Sequence, residues 1–134
     1  YRVYSVSGGR FVTLGALEPK FWANFCDAVG HPEWTSRQQD RLPQTDLMGE
    51  VEALFASHDL EYWESTLASV DCCYQAVLDY DQAADHEQTK IRKLVRKSTD
   101  HAQVLWPVHV DGEALDDRQP VTEINLNQSL KKWQ

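Results

Sequence analysis

The sequence predicts an α+β domain: an N-terminal β-hairpin, three or so helices and further short strands. Three observations carry that expectation. Two short runs rich in aromatic and β-branched residues flank a pair of glycines near the start. Beyond them, apolar residues recur at the i, i+3, i+4, i+7 spacing of helices with one buried face. The chain has 134 residues, a length that suits one domain and buries on the order of two-thirds of its extended surface.

The hairpin comes first. Its strands are Tyr1 to Val6 and Phe11 to Leu14, joined by Ser7-Gly8-Gly9-Arg10, whose glycines can take the positive φ of a tight turn. Gly15-Ala16-Leu17 leads into a helix whose first turn holds Pro19, where the missing N–H costs nothing. Trp22, Phe25, Cys26 and Val29 form its apolar stripe, and Gly30 followed by His31-Pro32 stops it. His31 to Thr45, with Pro32, Pro43 and a polar stretch around Gln38, reads as an exposed loop. A second helix is expected from about Asp46, burying Leu47, Val51, Leu54 and Phe55. A third is expected after Asp59 as N-cap, burying Leu60, Trp63, Leu67 and Val70.

Past Asp71 the pattern weakens. Cys73 to Leu78 fits a short strand or an extended loop, Asp79 to Glu87 a helical turn, and Lys90 to Lys97 either type. Val104 to Val110 reads as one strand, confined by Pro107 to an edge or bulge, with Asp111-Gly112 as a turn. From 116 onward the chain is polar and expected to be extended or poorly ordered. The expected division is a domain over 1–112 and an extended or linker-like segment over 113–134.

Charge and cysteine usage exclude several function classes. With 13 Lys+Arg against 21 Asp+Glu the net charge is −8, which argues against a phosphate-backbone partner. Apolar runs are only a few residues long, far below the roughly 20 that cross a bilayer. Cys26 and the pair Cys72-Cys73 make an odd count without ligand spacing, so the expectation is reduced thiols in a cytoplasmic protein and no metal. His31, His58, His86, His101 and His109 show no metal spacing and are expected at surface or loop positions. Tyr1 stands where an initiator Met would, inside a strand-like run, so the chain is expected to be cut from something longer, and an earlier leader stays open.

The stretch Gly9-Arg10-Phe11-Val12-Thr13-Leu14-Gly15-Ala16-Leu17-Glu18-Pro19-Lys20-Phe21-Trp22, with Tyr4, Phe25, Cys26 and Gly30 around it, resembles the small domain of family III CoA-transferases. Phe55-Ala56-Ser57, Trp63, Asp71-Cys72-Cys73 and Val77-Leu78 extend the likeness over roughly 1–112. The family includes formyl-CoA transferase, carnitine CoA-transferase and α-methylacyl-CoA racemase. The resemblance implies a small α/β domain inserted into a large Rossmann-like domain, with two subunits interlocked as rings. It also implies acyl-CoA and carboxylic acid substrates, with coenzyme A held mainly by the large domain. In the transferases an aspartate of that domain attacks the thioester and forms an acyl anhydride. In the racemases a His/Asp pair there exchanges the α-proton through an enolate. Both sets lie upstream of Tyr1, so this chain alone is expected to be inactive.

By the same resemblance Glu18 is the candidate catalytic residue. In racemase-type members the matching acid reaches the active site and supports the catalytic histidine; a carboxylate bonded to imidazole fixes its tautomer and stabilises the imidazolium. The competing reading is local: an acid before Pro19 favours the positive end of the helix. Formyl-CoA transferase has a glycine-rich loop in this region, and Gly15-Ala16-Leu17-Glu18-Pro19 stands here instead, which tilts the resemblance toward the racemase-like branch while transfer stays open. Lys90, Arg92 and Lys93, in a run with Arg96 and Lys97, are candidates for the phosphates of coenzyme A, against the competing reading of a solvated face. The sequence departs from the family pattern at Ala76, where a proline usually precedes the valine, and in the tail. A reading of another class stays beside the enzymatic one: a non-catalytic module binding an acyl-CoA or a protein.

Overall fold

Two adjacent glycines at positive φ, Gly8 at 82° and Gly9 at 76°, turn the chain between β1 (Arg2–Ser5) and β2 (Phe11–Leu14). The Val6 N–H donates to the Arg10 carbonyl at 2.9 Å beside that turn. The structure, a computed structural model, describes residues 1–97, 102–105 and 107–114. It divides into two compact units, 1–77 and 78–134.

In the first unit β1 and β2 pair antiparallel from Arg2↔Leu14 to Ser5↔Phe11. A third strand, β3 (Tyr74–Ala76), adds to the other edge of β2, with Val12 opposite Ala76 and Leu14 opposite Tyr74. Strand alternation sends Tyr4, Val12, Leu14 and Ala76 to the buried face and leaves Val3, Phe11 and Val77 exposed. Three helices bring their apolar faces to the core: α1 (Pro19–Ala28), α2 (Thr45–Ala56) and α3 (Leu60–Leu67). The stripes match the expected ones, with Trp22, Phe25, Cys26, Leu47, Val51, Phe55, Trp63 and Leu67 buried. Val29, Leu54, Leu60 and Val70 are half-buried against them.

Phe55 is the centre of this packing. Its ring lies 5.1 Å from Tyr4, 5.8 Å from Phe25 and 5.0 Å from Trp63, in the offset and edge-on arrangements that aromatic quadrupoles favour. The buried indole of Trp63 donates to the Phe55 carbonyl at 2.9 Å, which satisfies its one polar atom. The helix ends follow local chemistry. The Asp59 carboxylate caps α3 at the Tyr62 N–H, 3.0 Å. After α1, Gly30 at φ 78° lets its own N–H reach the Asp27 carbonyl and that of His31 reach Cys26, a paired-carbonyl helix stop.

One expectation here is corrected. His31 to Thr45 is not simply an exposed loop, because Pro32–Gln39 forms a 3-10 helix and Trp34 on it is buried. The segment is polar throughout, so a single aromatic supplies its anchoring. Trp34 is 4% exposed, its carbonyl accepts from the Trp22 indole at 3.0 Å, and the His31 ring stacks on it at 4.1 Å.

The second unit is built from short pieces. The expected helical turn becomes α4 (Tyr80–Asp85), where Asp79 and Gln82 exchange side-chain and backbone bonds in a capping box. α5 (Glu87–Ile91) follows, and the Lys90 to Lys97 stretch splits between its end and β4 (Val95–Lys97). The single strand expected over Val104 to Val110 is also corrected. β5 (Ala102–Val104) pairs with β4, while β6 (His109–Val110) pairs with β7 (Glu113–Ala114) across Asp111-Gly112, both at positive φ. Pro107 lies between the two pairings and has no N–H to offer a ladder. Trp106 and the tail from 116 lie outside the described residues.

Candidate functional site

The family-like block Gly15 to Pro19 forms the link between β2 and α1. Several of its backbone groups have traceable partners. The Gly15 N–H donates to Cys73 at 2.9 Å, fastening the start of the link beside β3, and Leu17 N–H donates back to Gly15 at 2.8 Å. The Glu18 carbonyl accepts the Trp22 N–H at 3.1 Å, closing the first turn of α1. The Ala16 and Leu17 carbonyls both accept from the Gln38 side-chain amide, at 3.2 and 2.9 Å. A Cβ on Gly15 would stand 3.4 Å from the Tyr1 ring, so this glycine is in ordinary contact rather than forced by space.

Glu18 is the N-cap residue of α1, with extended backbone (φ −76°, ψ 140°) and no capping hydrogen bond from its side chain. Its carboxylate is exposed, and among the described residues it accepts no hydrogen bond and joins no ion pair. The position agrees with the favourable end of the helix dipole. The side chain remains directed at solvent.

Two clefts border the link. One of about 190 Å³ is lined by Tyr4, Ala16, Leu17, Gln38, Leu47 and Met48 among others. The other, of about 420 Å³, is lined by Tyr1, Arg2, Thr13, Gly15 and Cys73 among others. Glu18 lines neither. Near the second cleft Lys20 bonds Asp71 at 2.7 Å, which holds the lysine charged, and Asn24 donates to the Asp71 carbonyl at 2.9 Å. Cys73 is exposed at φ 55°, whereas Cys26 and Cys72 are buried and burial pushes both thiols up.

The basic candidates Lys90, Arg92 and Lys93 belong to the second unit. Lys90 and Lys97 converge on Asp85, at 3.7 and 3.1 Å, and Lys97 holds that carboxyl below the usual range. Arg92 donates to the Pro107 carbonyl at 2.6 Å, and Lys93 is exposed at φ 52°. Among the described residues no three His, Cys, Asp or Glu side chains group to hold a metal ion, and no helix is long and apolar enough to cross a membrane.

Gln38 and Gln44 are the residues that sequence reasoning passed over, since both fell in the supposed loop. The available signal was Pro32-Glu33-Trp34, a helix-start proline followed by an aromatic that exposed loops rarely carry.

An antiparallel three-stranded sheet covered by three helices, with an acid on the β2–α1 link, defines an α+β domain whose likeness to solved proteins can be judged. The hypothetical protein Rv3272 of Mycobacterium tuberculosis superposes with a TM-score of 0.65 at 16% identity, over 84% of this chain and 33% of that one. Its orthorhombic form gives 0.63 at 18% identity, over 84% and 34%. Among curated proteins, α-methylacyl-CoA racemase of Mus musculus is 25% identical over 93 residues, 69% of this chain and 24% of the racemase. The CaiB/baiF CoA-transferase family protein ZK892.4 of Caenorhabditis elegans is 23% identical over 99 residues, 74% and 28%. The chain thus spans about a quarter of the length of the curated relatives it matches. The family description CoA-transferase family III matches residues 1–122, and the chain belongs to that family.

Proposed function

We propose that this chain is the small lobe of an acyl-CoA-processing enzyme, and that Glu18 assists α-proton exchange on an acyl-CoA. The observation that carries the reading is the Glu18 carboxylate, exposed and without a side-chain partner among the described residues, at the tip of the family's link. A carboxylate so placed is available to bond an imidazole brought by another lobe, which fixes the imidazole tautomer and stabilises its protonated form. The proton leaves the α-carbon for a base of the large domain, an enolate forms, and reprotonation restores the thioester. The mouse racemase among the relatives agrees with this reading.

CoA transfer between carboxylic acids, through an acyl anhydride on an aspartate of the large domain, is the second reading, favoured by the worm relative's family name. Both readings include a large domain of the same protein, an interlocked homodimer, a cytoplasmic setting, and coenzyme A thioesters as substrates rather than bound cofactors. They also retain a linker-like role for 113–134. Contact of Lys90, Arg92 and Lys93 with CoA phosphates belongs to the proposal, with Asp85 as the competing partner of Lys90.

The test uses the full-length protein with a 2-methylacyl-CoA in deuterated water, with and without an acceptor acid. Deuterium uptake at the α-carbon without acceptor is expected, with Glu18→Gln lowering kcat on the order of 10²-fold or more. Turnover only with acceptor would favour transfer. No turnover, with the thioester still bound, would favour a non-catalytic module.

A further inference from the structure

We infer that Gln38 is a positioning residue for Glu18, setting the direction of its side chain through the backbone of the β2–α1 link. The inference rests on the reading of Glu18 given above and adds a residue from outside the family-like block. The direction in which a side chain leaves the backbone, along its Cα–Cβ bond, is set by the two peptide planes that flank its Cα, and its rotamers start from there. On the C-terminal side of Glu18, Pro19 restricts the preceding residue to extended backbone, as the ψ of 140° shows, and the Trp22 N–H holds the Glu18 carbonyl. On the N-terminal side, the plane is that of the Leu17–Glu18 peptide, and its oxygen is held by Gln38 at 2.9 Å. The same amide nitrogen holds the Ala16 oxygen at 3.2 Å. Two carbonyl acceptors require the NH₂ end of the amide, so its orientation is fixed by chemistry.

Gln38 is itself braced. The Gln44 amide donates to the carbonyls of Gln38 and Asp40 at 2.8 and 2.9 Å, across the end of the 3-10 helix. Arg37 forks onto Glu50 of α2 at 2.7 and 2.8 Å. Buried Trp34 ties the same segment to α1 through the Trp22 indole. The platform is therefore anchored to two helices, and Gln38 passes that rigidity to the link. The Leu17 carbonyl, the one that flanks Glu18, is exposed, so water can replace its lost donor, while the Ala16 bond is half-buried. Aim is thus more sensitive to Gln38 than stability is.

A double-mutant cycle in the full-length enzyme tests this, reading α-deuterium exchange and melting temperature. Gln38→Met keeps the length of the side chain and removes both donors. It is expected to lower kcat on the order of 10²-fold, the effect of roughly a 1 Å misplacement, with little change in KM and a melting temperature within a few degrees. In a Glu18→Gln background the same substitution is expected to lower kcat no further. Gln44→Met, which loosens the platform without touching the link, is expected to give a smaller loss that also vanishes in that background. Losses that multiply with that of Glu18→Gln, or an unchanged kcat for Gln38→Met in an enzyme that needs Glu18, overturn the inference alone. An unchanged kcat for Glu18→Gln overturns the reading of Glu18, and the inference falls with it.

Discussion

The two units of this chain are held together by different physics. Among the described residues, 1–77 contain nearly all of the buried apolar side chains, arranged around Phe55. Burying each such side chain is worth roughly 1.5–3 kcal/mol. In the second unit Leu105, at 5% exposure, is the buried hydrophobic side chain among the described residues. Its helices have 6 and 5 residues, far below the roughly 12–15 that persist alone. Capping bonds and the Asp85 ion pairs supply what packing does not. The difference teaches where sequence change is felt: by volume in the first unit, by polar partners in the second.

The sharpest way to break the contrast is Trp63→Ala. It empties a site 2% exposed against Phe55 and orphans the Phe55 carbonyl, and is expected to destabilise by about 3–5 kcal/mol in chemical denaturation. A smaller effect is expected from Asp59→Ala, which removes the α3 cap at a cost of about 1 kcal/mol, read by the same titration. The second unit should answer to ions instead. Asp85 has its carboxyl lowered, first by the Lys97 hydrogen bond and then by the charges of Lys97 and Lys90. A lowered carboxyl contributes stability that is present above its ordinary value of 3.8 and is lost as pH falls through the lowered one. Amide exchange in α4 and α5, taken relative to the intrinsic rate at each pH, should therefore quicken on acidification below that value. It should also quicken in about 0.5 M salt, where screening is strong, while α1 to α3 stay protected. Uniform loosening of both units would remove the distinction. The smallest effect belongs to Gly15→Ala, whose new methyl meets the Tyr1 ring in ordinary contact; the melting temperature should move by no more than a few degrees.

How much was legible follows the same division. Trp22, Phe25, Cys26, Val51, Phe55 and Trp63 declared their helices because burial enforces a period, and periods are visible in a string. Gly8, Gly9 and Gly30 declared turns because their conformations exclude most other residues. Pro32–Gln39 was missed because one buried indole, Trp34, has no period. Val104 to Val110 was read as one strand because its composition is strand-like, whereas pairing partners decide where strands end. Glu18 could be named from its neighbours in sequence, whereas Pro32-Glu33-Trp34 signalled only an ordered segment and not the role of Gln38 in it, since its partners are backbone oxygens with no sequence signature.

That dependence has a consequence for comparing relatives. If the aim of Glu18 is held by a side chain from another element, two proteins could share every letter of Gly15 to Pro19 and still point their acids differently. The residue at the position of Gln38 would then vary as a silent dial, and substrate preference could drift between lineages while the recognised block stayed unchanged.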